Sequence, residues 1–168
     1  MEEKYRVGFT YTFEHIDSDG RIISVETFEN LMPGPALDYM LSVAFKGGSA
    51  YTTWYLGVYG ANRVPLATDT MTTLLADCVE DTVYTVVGGA RQVVTLSTPS
   101  QGVMTNTASP NILAFPSAST VRGAFLTTNV TRGSNSGLLV SAALSAAPKV
   151  MEAGSELKCY VGFAIVAV

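Results

Sequence analysis

Thr52 to Gly60 reads Thr-Thr-Trp-Tyr-Leu-Gly-Val-Tyr-Gly, carries no charge, and stops at a Gly60-Ala61-Asn62 turn signal. A run of β-branched and aromatic residues bounded in this way predicts a strand buried on both faces. Such a strand has to have one apolar layer above it and another below. The neighbouring sequence can supply both, with a helix-period segment just before the run and a series of short apolar strands after it.

At 168 residues the chain has enough material for one well-filled core and little for two. Its apolar runs fall short of the ~18 residues that a membrane-spanning helix needs. Met1-Glu2-Glu3-Lys4 lacks the charged-then-apolar pattern of a signal peptide, so a soluble protein made in a cytoplasm is expected. Cys78 and Cys159 stand far apart, with no CxxC spacing and no histidine near either, which predicts two free thiols in apolar surroundings.

Charge is unevenly placed. Residues 1–30 carry seven acids and three bases and residues 31–168 carry seven of each, so the net charge of −4 belongs to the N-terminal segment. No carboxylate lies between Asp81 and Glu152, and from Gln92 to Pro148 the only charged residues are Arg122 and Arg132. A free monomer keeps roughly a quarter to a third of its surface charged to stay soluble. A chain this thinly charged is expected to cover much of its surface with other protein.

From Tyr5 to Glu14, Val7, Phe9, Tyr11 and Phe13 alternate with Gly8, Thr10, Thr12 and Glu14, the pattern of a half-buried strand. A second strand-like stretch, Arg21 to Phe28, follows Asp19-Gly20, so the first 30 residues predict a β-hairpin. Aligned on Gly20, an EF-hand loop would draw calcium ligands from Asp17, Asp19 and Glu26. Its first ligand position would then be His15, and both flanks keep strand period, which favours the plain hairpin.

From Asn30 to Gly48 the period changes: Leu37, Met40, Leu41, Ala44 and Phe45 form one apolar stripe of a helix over about 34–46. Pro35 suits its first turn, Lys46 its last, and Gly47 or Gly48 its C-cap. The stripe is expected to pack on the Trp54 strand. Asn62 to Thr70 is a loop, and Asp69 is placed to cap a short helix through Leu75.

Strand candidates follow at Val83 to Val87, Gln92 to Leu96, Gly102 to Asn106, Ile112 to Phe115, Thr120 to Thr128, Gly137 to Ala143 and Glu156 to Val168. Gly88-Gly89, Pro99-Ser100, Thr131 to Gly137 and Glu152-Ala153-Gly154 separate them, and Gly123 marks a bulge. The fold class is therefore mainly β: a sandwich or jelly-roll type barrel with one amphipathic helix and an N-terminal hairpin.

Catalytic patterns are largely missing from the sequence. His15 is the only histidine, so nucleophilic catalysis would have to take its base from the hairpin. No His, Cys or carboxylate cluster has metal-ligand spacing, and no phosphate-binding or dinucleotide fingerprint is present. Gly133-Ser134-Asn135-Ser136-Gly137 has Asn where a nucleophile elbow needs Ser. Scattered bases on an acidic chain argue against nucleic acid. No catalytic, cofactor-binding or metal residue is assigned, and no cofactor is expected.

A family resemblance runs along nearly the whole chain. Asp19-Gly20-Arg21, Glu26, Asn30-Leu31-Met32-Pro33, Leu37-Asp38-Tyr39-Met40-Leu41 and Lys46-Gly47-Gly48 resemble the N-terminal half of small structural proteins of tailed bacteriophages. Thr53 to Tyr59, Pro65 and Asp69-Thr70-Met71 are similar to that family's most recognisable block. Val121 to Leu126, Leu138 to Ala142 and Pro148-Lys149 resemble its C-terminal part. The chain departs from the pattern after the aromatic strand, where Gly60-Ala61-Asn62 stand in place of an acidic residue.

The resemblance implies a virion component, and among virion roles a decoration or cement protein on the capsid surface. Its expected partners are the major capsid protein and further copies of itself, as a dimer or trimer, with neither nucleic acid nor membrane. On this reading residues 1–30 are a hairpin arm reaching a neighbouring subunit and residues 31–168 a β-sandwich domain that clamps the shell. The alternative is a tail-fibre or host-receptor-binding β module, with Tyr51, Tyr59 and Tyr84 exposed to stack on sugars. A polysaccharide hydrolase would have to find its carboxylate pair among Asp69, Asp77, Glu80 and Asp81.

Overall fold

The structure, a computed structural model, describes residues 5–86 and 89–167. The chain opens with β1 (Tyr5–Ile16) and β2 (Ile22–Glu29), the expected antiparallel hairpin. Asp17 closes its turn, Oδ1 accepting from the Asp19 amide at 2.9 Å and the Arg21 amide at 2.8 Å, while Gly20 takes a φ of 82°. The Asp17 oxygen offered to calcium in the EF-hand alignment is thus the turn's own acceptor.

After α1 (Gly34–Lys46) and β3 (Trp54–Tyr59) come α2 (Met71–Asp77), β4 (Gln92–Val94), β5 (Val103–Thr105), β6 (Asn111–Ala114), β7 (Ser119–Thr127), β8 (Leu139–Met151) and β9 (Glu156–Ala167). Two antiparallel sheets result. One runs β2-β1-β9, with β5 and β6 sharing the far edge of β9; the other runs β4-β3-β7-β8. They face each other as a sandwich with no closed barrel, which settles the barrel alternative in favour of the sandwich.

The core lies between the sheets. Tyr11, Phe13, Leu113, Leu157 and Val161 enter it from the first, and Leu56, Val58, Ala124, Leu126 and Met151 from the second. The two lateral margins are laced together. On one side Leu31 and Ala142 exchange backbone hydrogen bonds of 2.9 and 3.0 Å. On the other, the Gln92 amide donates to the Ile112 carbonyl at 2.6 Å and the Asn111 amide to the Val93 carbonyl at 2.8 Å. Side-chain amides here stand in for a ladder that would have closed the barrel.

The hairpin is not a separate arm. β1 pairs with β9 along its whole length, from Tyr5↔Ala167 to Ile16↔Glu156, and its inward residues Phe9, Tyr11 and Phe13 belong to the sandwich core. The division at residue 30 fails for a physical reason: the apolar alternation of β1 needs a facing layer, and the only one within reach is the second sheet.

β3 is buried on both faces as expected, but the second layer differs. Leu56 and Val58 face the sandwich core, whereas Tyr59 turns outward into a cluster with Met71, Leu74, Cys78, Phe125 and Leu139. The covering helix is therefore α2. Its N-cap is Thr70, in a reciprocal capping box with Thr73, rather than Asp69. Gly123 lies at a register shift between β7 and β8, the expected bulge, and a Cβ there would fall 2.2 Å from the Tyr59 ring. A glycine is needed because the tyrosine crosses the strand at that point.

Residues 83–86 form no strand; Thr85 makes one bridge to Ala114, and Val87 and Gly88 lie outside the described residues. Side chains take the backbone groups that a ladder would have used: Arg132 Nη1 donates to the carbonyls of Thr82 and Tyr84, and Asp81 accepts from the Val83 amide. β8, in turn, runs well past the expected Ala143. It is an edge strand of its sheet, which is where Pro148 can be accommodated. At the C-terminus β9 reaches Ala167, and the expected last strand residue, Val168, is outside the described range.

Candidate interaction surface

α1 starts at the positions the sequence indicated, with Pro35 in its first turn and Gly47 at φ 66° closing its end. Its packing is thin, since Ala36 is its only buried residue. Tyr39 reaches back to the sandwich, its ring edge-on to Trp54 with centroids 6.2 Å apart, and its hydroxyl accepts the Tyr51 amide. Met40 and Val43 stand over the open end of the core together with Phe9, Trp54, Met104 and Phe163, and enclose a cavity of about 270 Å³. No charged residue lines it, and its walls are mainly aliphatic and aromatic, which suits apolar groups.

Ala36, Met40 and Val43 take the inward face and Ala44 lines the same cavity, so the predicted stripe is split: Met40 and Ala44 turn toward the sandwich, and Leu37, Leu41 and Phe45 turn away from it. Leu37, Leu41 and Phe45 are 41, 57 and 78% exposed, with Phe45 the farthest into solvent. The expectation that this stripe packs on the Trp54 strand holds for Met40 and Ala44, which line the cavity beside Trp54, and is corrected for Leu37, Leu41 and Phe45. A signal for the rotation was present in the sequence, since α1 is apolar on two sides and carries only Asp38 and Lys46 as charges. Three more apolar side chains, Ile22, Ile23 and Val25, are each 59% exposed on the β2 half of the hairpin.

The titratable groups are bound into the framework. Glu80 forms a two-pronged ion pair with Arg91, at 2.9 and 2.7 Å, and also accepts the Gly133 amide at 2.6 Å. Asp69 accepts from Arg63 Nη2 at 2.7 Å and from the Leu66 amide at 2.7 Å. The guanidinium holds the Asp69 pKa below the usual carboxylate range against the opposing effect of burial. Asp77 takes the remaining edge of Arg63 at 3.0 Å, and Asp81 accepts from Ser119 Oγ and the Val83 amide. The four carboxylates named as hydrolase candidates thus hold loops together, and two of them, Asp69 and Asp77, share the Arg63 guanidinium.

Cys78 and Cys159 are free and buried, and burial pushes the Cys78 thiol up to about 11, far from a reactive thiolate. His15 is buried near Lys149; desolvation first, and then the ammonium, lower its pKa against the Asp17 and Glu152 carboxylates. Glu26, the third residue of the calcium alignment, is paired with Lys149 and accepts the Ala146 amide at 2.7 Å. Among the described residues no group of three or more His, Cys, Asp or Glu is arranged to hold a metal ion.

Tyr59 and Tyr84 are buried, so only Tyr51, 51% exposed, remains of the three tyrosines that sugar stacking would use. Among the described residues no helix is long and apolar enough to cross a membrane. What these features define as a class is a laced antiparallel β-sandwich with its buried ionic groups turned to internal use and apolar side chains standing on its hairpin and on one helix. Compared with known proteins, the chain matches no protein-family model and no curated protein sequence.

Proposed function

We infer that the chain is a non-enzymatic virion structural protein, a decoration or cement protein that binds the outside of a bacteriophage capsid and bridges neighbouring subunits. The observation that carries this reading is the exposed Ile22, Ile23 and Val25 on a hairpin held rigidly in the sandwich. Ile23 and Val25 share the outer face of β2, and an exposed apolar pair on an element that cannot fold back to hide it is suited to docking on another protein. Bridging further requires a body that does not deform, and the lacing of both sandwich margins supports that.

The test is co-sedimentation of the purified chain with undecorated phage heads, before and after shell expansion. Saturable binding at a fixed ratio to the major capsid protein is expected, with loss of binding in an Ile23→Asp/Val25→Asp variant. Absence of binding to both head forms overturns the reading and turns attention to a tail or host-binding role, with Tyr51 as the aromatic to examine.

A further inference from the structure

The stripe on α1 has a second property besides exposure. Leu37, Leu41 and Phe45 are spaced by four, so they form one row along the helix, and Asp38 and Lys46 border that row at its two ends. Neither Asp38 nor Lys46 belongs to an ion pair among the described residues, although Arg6, Arg21, Arg63, Arg91, Lys149 and Lys158 all do. An apolar row with an acid at one end and a base at the other is complementary to its own reverse. We propose that two copies of this chain associate through their α1 helices, antiparallel about a twofold axis near Leu41, with Asp38 of each copy against Lys46 of the other.

Two nearly coincident axes account for the contacts, and an axis between them leaves each set within reach. Rotation about Leu41 sets Leu37 of one copy on Phe45 of the other and Leu41 on its own counterpart. Rotation about Ser42 sets Asp38 on Lys46, and the two axes differ by one residue, about 1.5 Å along the helix. The charges lie roughly 12 Å apart along each helix, which separates the two cross-pairs and makes a parallel arrangement repulsive at both ends. At the N-terminal end of α1 the Gly34 amide donates to the Ala67 carbonyl at 2.8 Å, which ties the start of the helix to the loop that carries the exposed Val64 and Leu66. A partner of a different kind would need the same acid and base at the same spacing in reverse order, whereas a second copy supplies both by symmetry.

The experiment is sedimentation equilibrium of the full chain, as wild type, as Asp38→Lys, as Lys46→Asp, and as an equimolar mixture of the two variants. Each reversal places like charges at both ends of the antiparallel pair, and the mixture restores two opposite-charge contacts. A dimeric wild type is expected, with each variant weakened about tenfold or more alone and the mixture returning toward wild type. Both positions are exposed, and circular dichroism of each variant checks that the fold is kept. A monomeric wild type overturns the proposal, as does a dimer indifferent to both reversals or a mixture that fails to recover. The inference goes beyond the shell-binding reading and is independent of it: a dimer that ignores phage heads keeps one and sinks the other.

Discussion

Replacing Arg91 by Met tests whether the ion pair under the 129–134 loop holds the second sheet to its surroundings. The Arg91 and Glu80 side chains are 0 and 1% exposed, and Arg91 also donates to the carbonyls of Asn129, at 2.9 Å, and Ser134, at 2.7 Å. Its guanidinium lies 5.2 Å from the Phe125 ring centroid. Methionine keeps the stem and some of the ring contact but strands the Glu80 carboxylate with only the Gly133 amide. Breaking a buried pair from one side costs about 3–5 kcal/mol, because one charge stays behind without its partner. At roughly 2–4 °C per kcal/mol for a chain of this size, the melting temperature should drop by about 6–20 °C.

The assay is urea unfolding of four proteins: wild type, Arg91→Met, Glu80→Leu and the double variant. The double variant removes both charges, so it should be more stable than Arg91→Met, with a remaining deficit of about 1–3 kcal/mol for the backbone groups left unbonded. An Arg91→Met protein within about 1 kcal/mol of wild type would refute the argument, since an uncompensated buried carboxylate cannot be that cheap.

Two further outcomes follow from the same packing. A chain lacking residues 1–30 should fail to fold, with no cooperative melting transition, because it loses the strand that pairs β9 from end to end and the core rings of Phe9, Tyr11 and Phe13; a truncated chain that melts cooperatively would show that β1 is dispensable. On acidification stability should fall in two stages. The folded His15 pKa lies below its ordinary 6.5, so its contribution is complete above that value and is lost as pH falls through the lowered one. Burial opposes the Glu26 carboxylate, but Lys149 and the Ala146 amide outweigh it, so its contribution is complete above the ordinary 4.5 and is lost at lower pH. His15→Asn should remove the first stage from a series of urea midpoints and leave the second, and an unchanged profile would reject the assignment to His15.

The sequence by itself determined the elements whose pattern is local. The alternation from Tyr5 to Glu14, the Asp-Gly turn, the Pro35 and Gly47 boundaries of α1 and the uncharged aromatic strand at Thr52 to Gly60 all state a backbone conformation within a few residues, and all are found. The free thiols and the bulge at Gly123 were legible for the same reason. Tertiary structure alone decided which apolar faces meet. α1 has apolar residues on two sides, and only the shape of the sandwich mouth turns Ala36, Met40 and Val43 inward and leaves Leu37, Leu41 and Phe45 outside. The charged hairpin looked detachable because net charge is a property of composition, whereas its place in the sheet depends on β9, some 140 residues later, offering the complementary edge to β1. The ion pairs of Glu80 with Arg91 and of Glu26 with Lys149 likewise join residues whose separation in the chain carries no signal, and they form because a buried charge has to find its opposite wherever the fold brings one near.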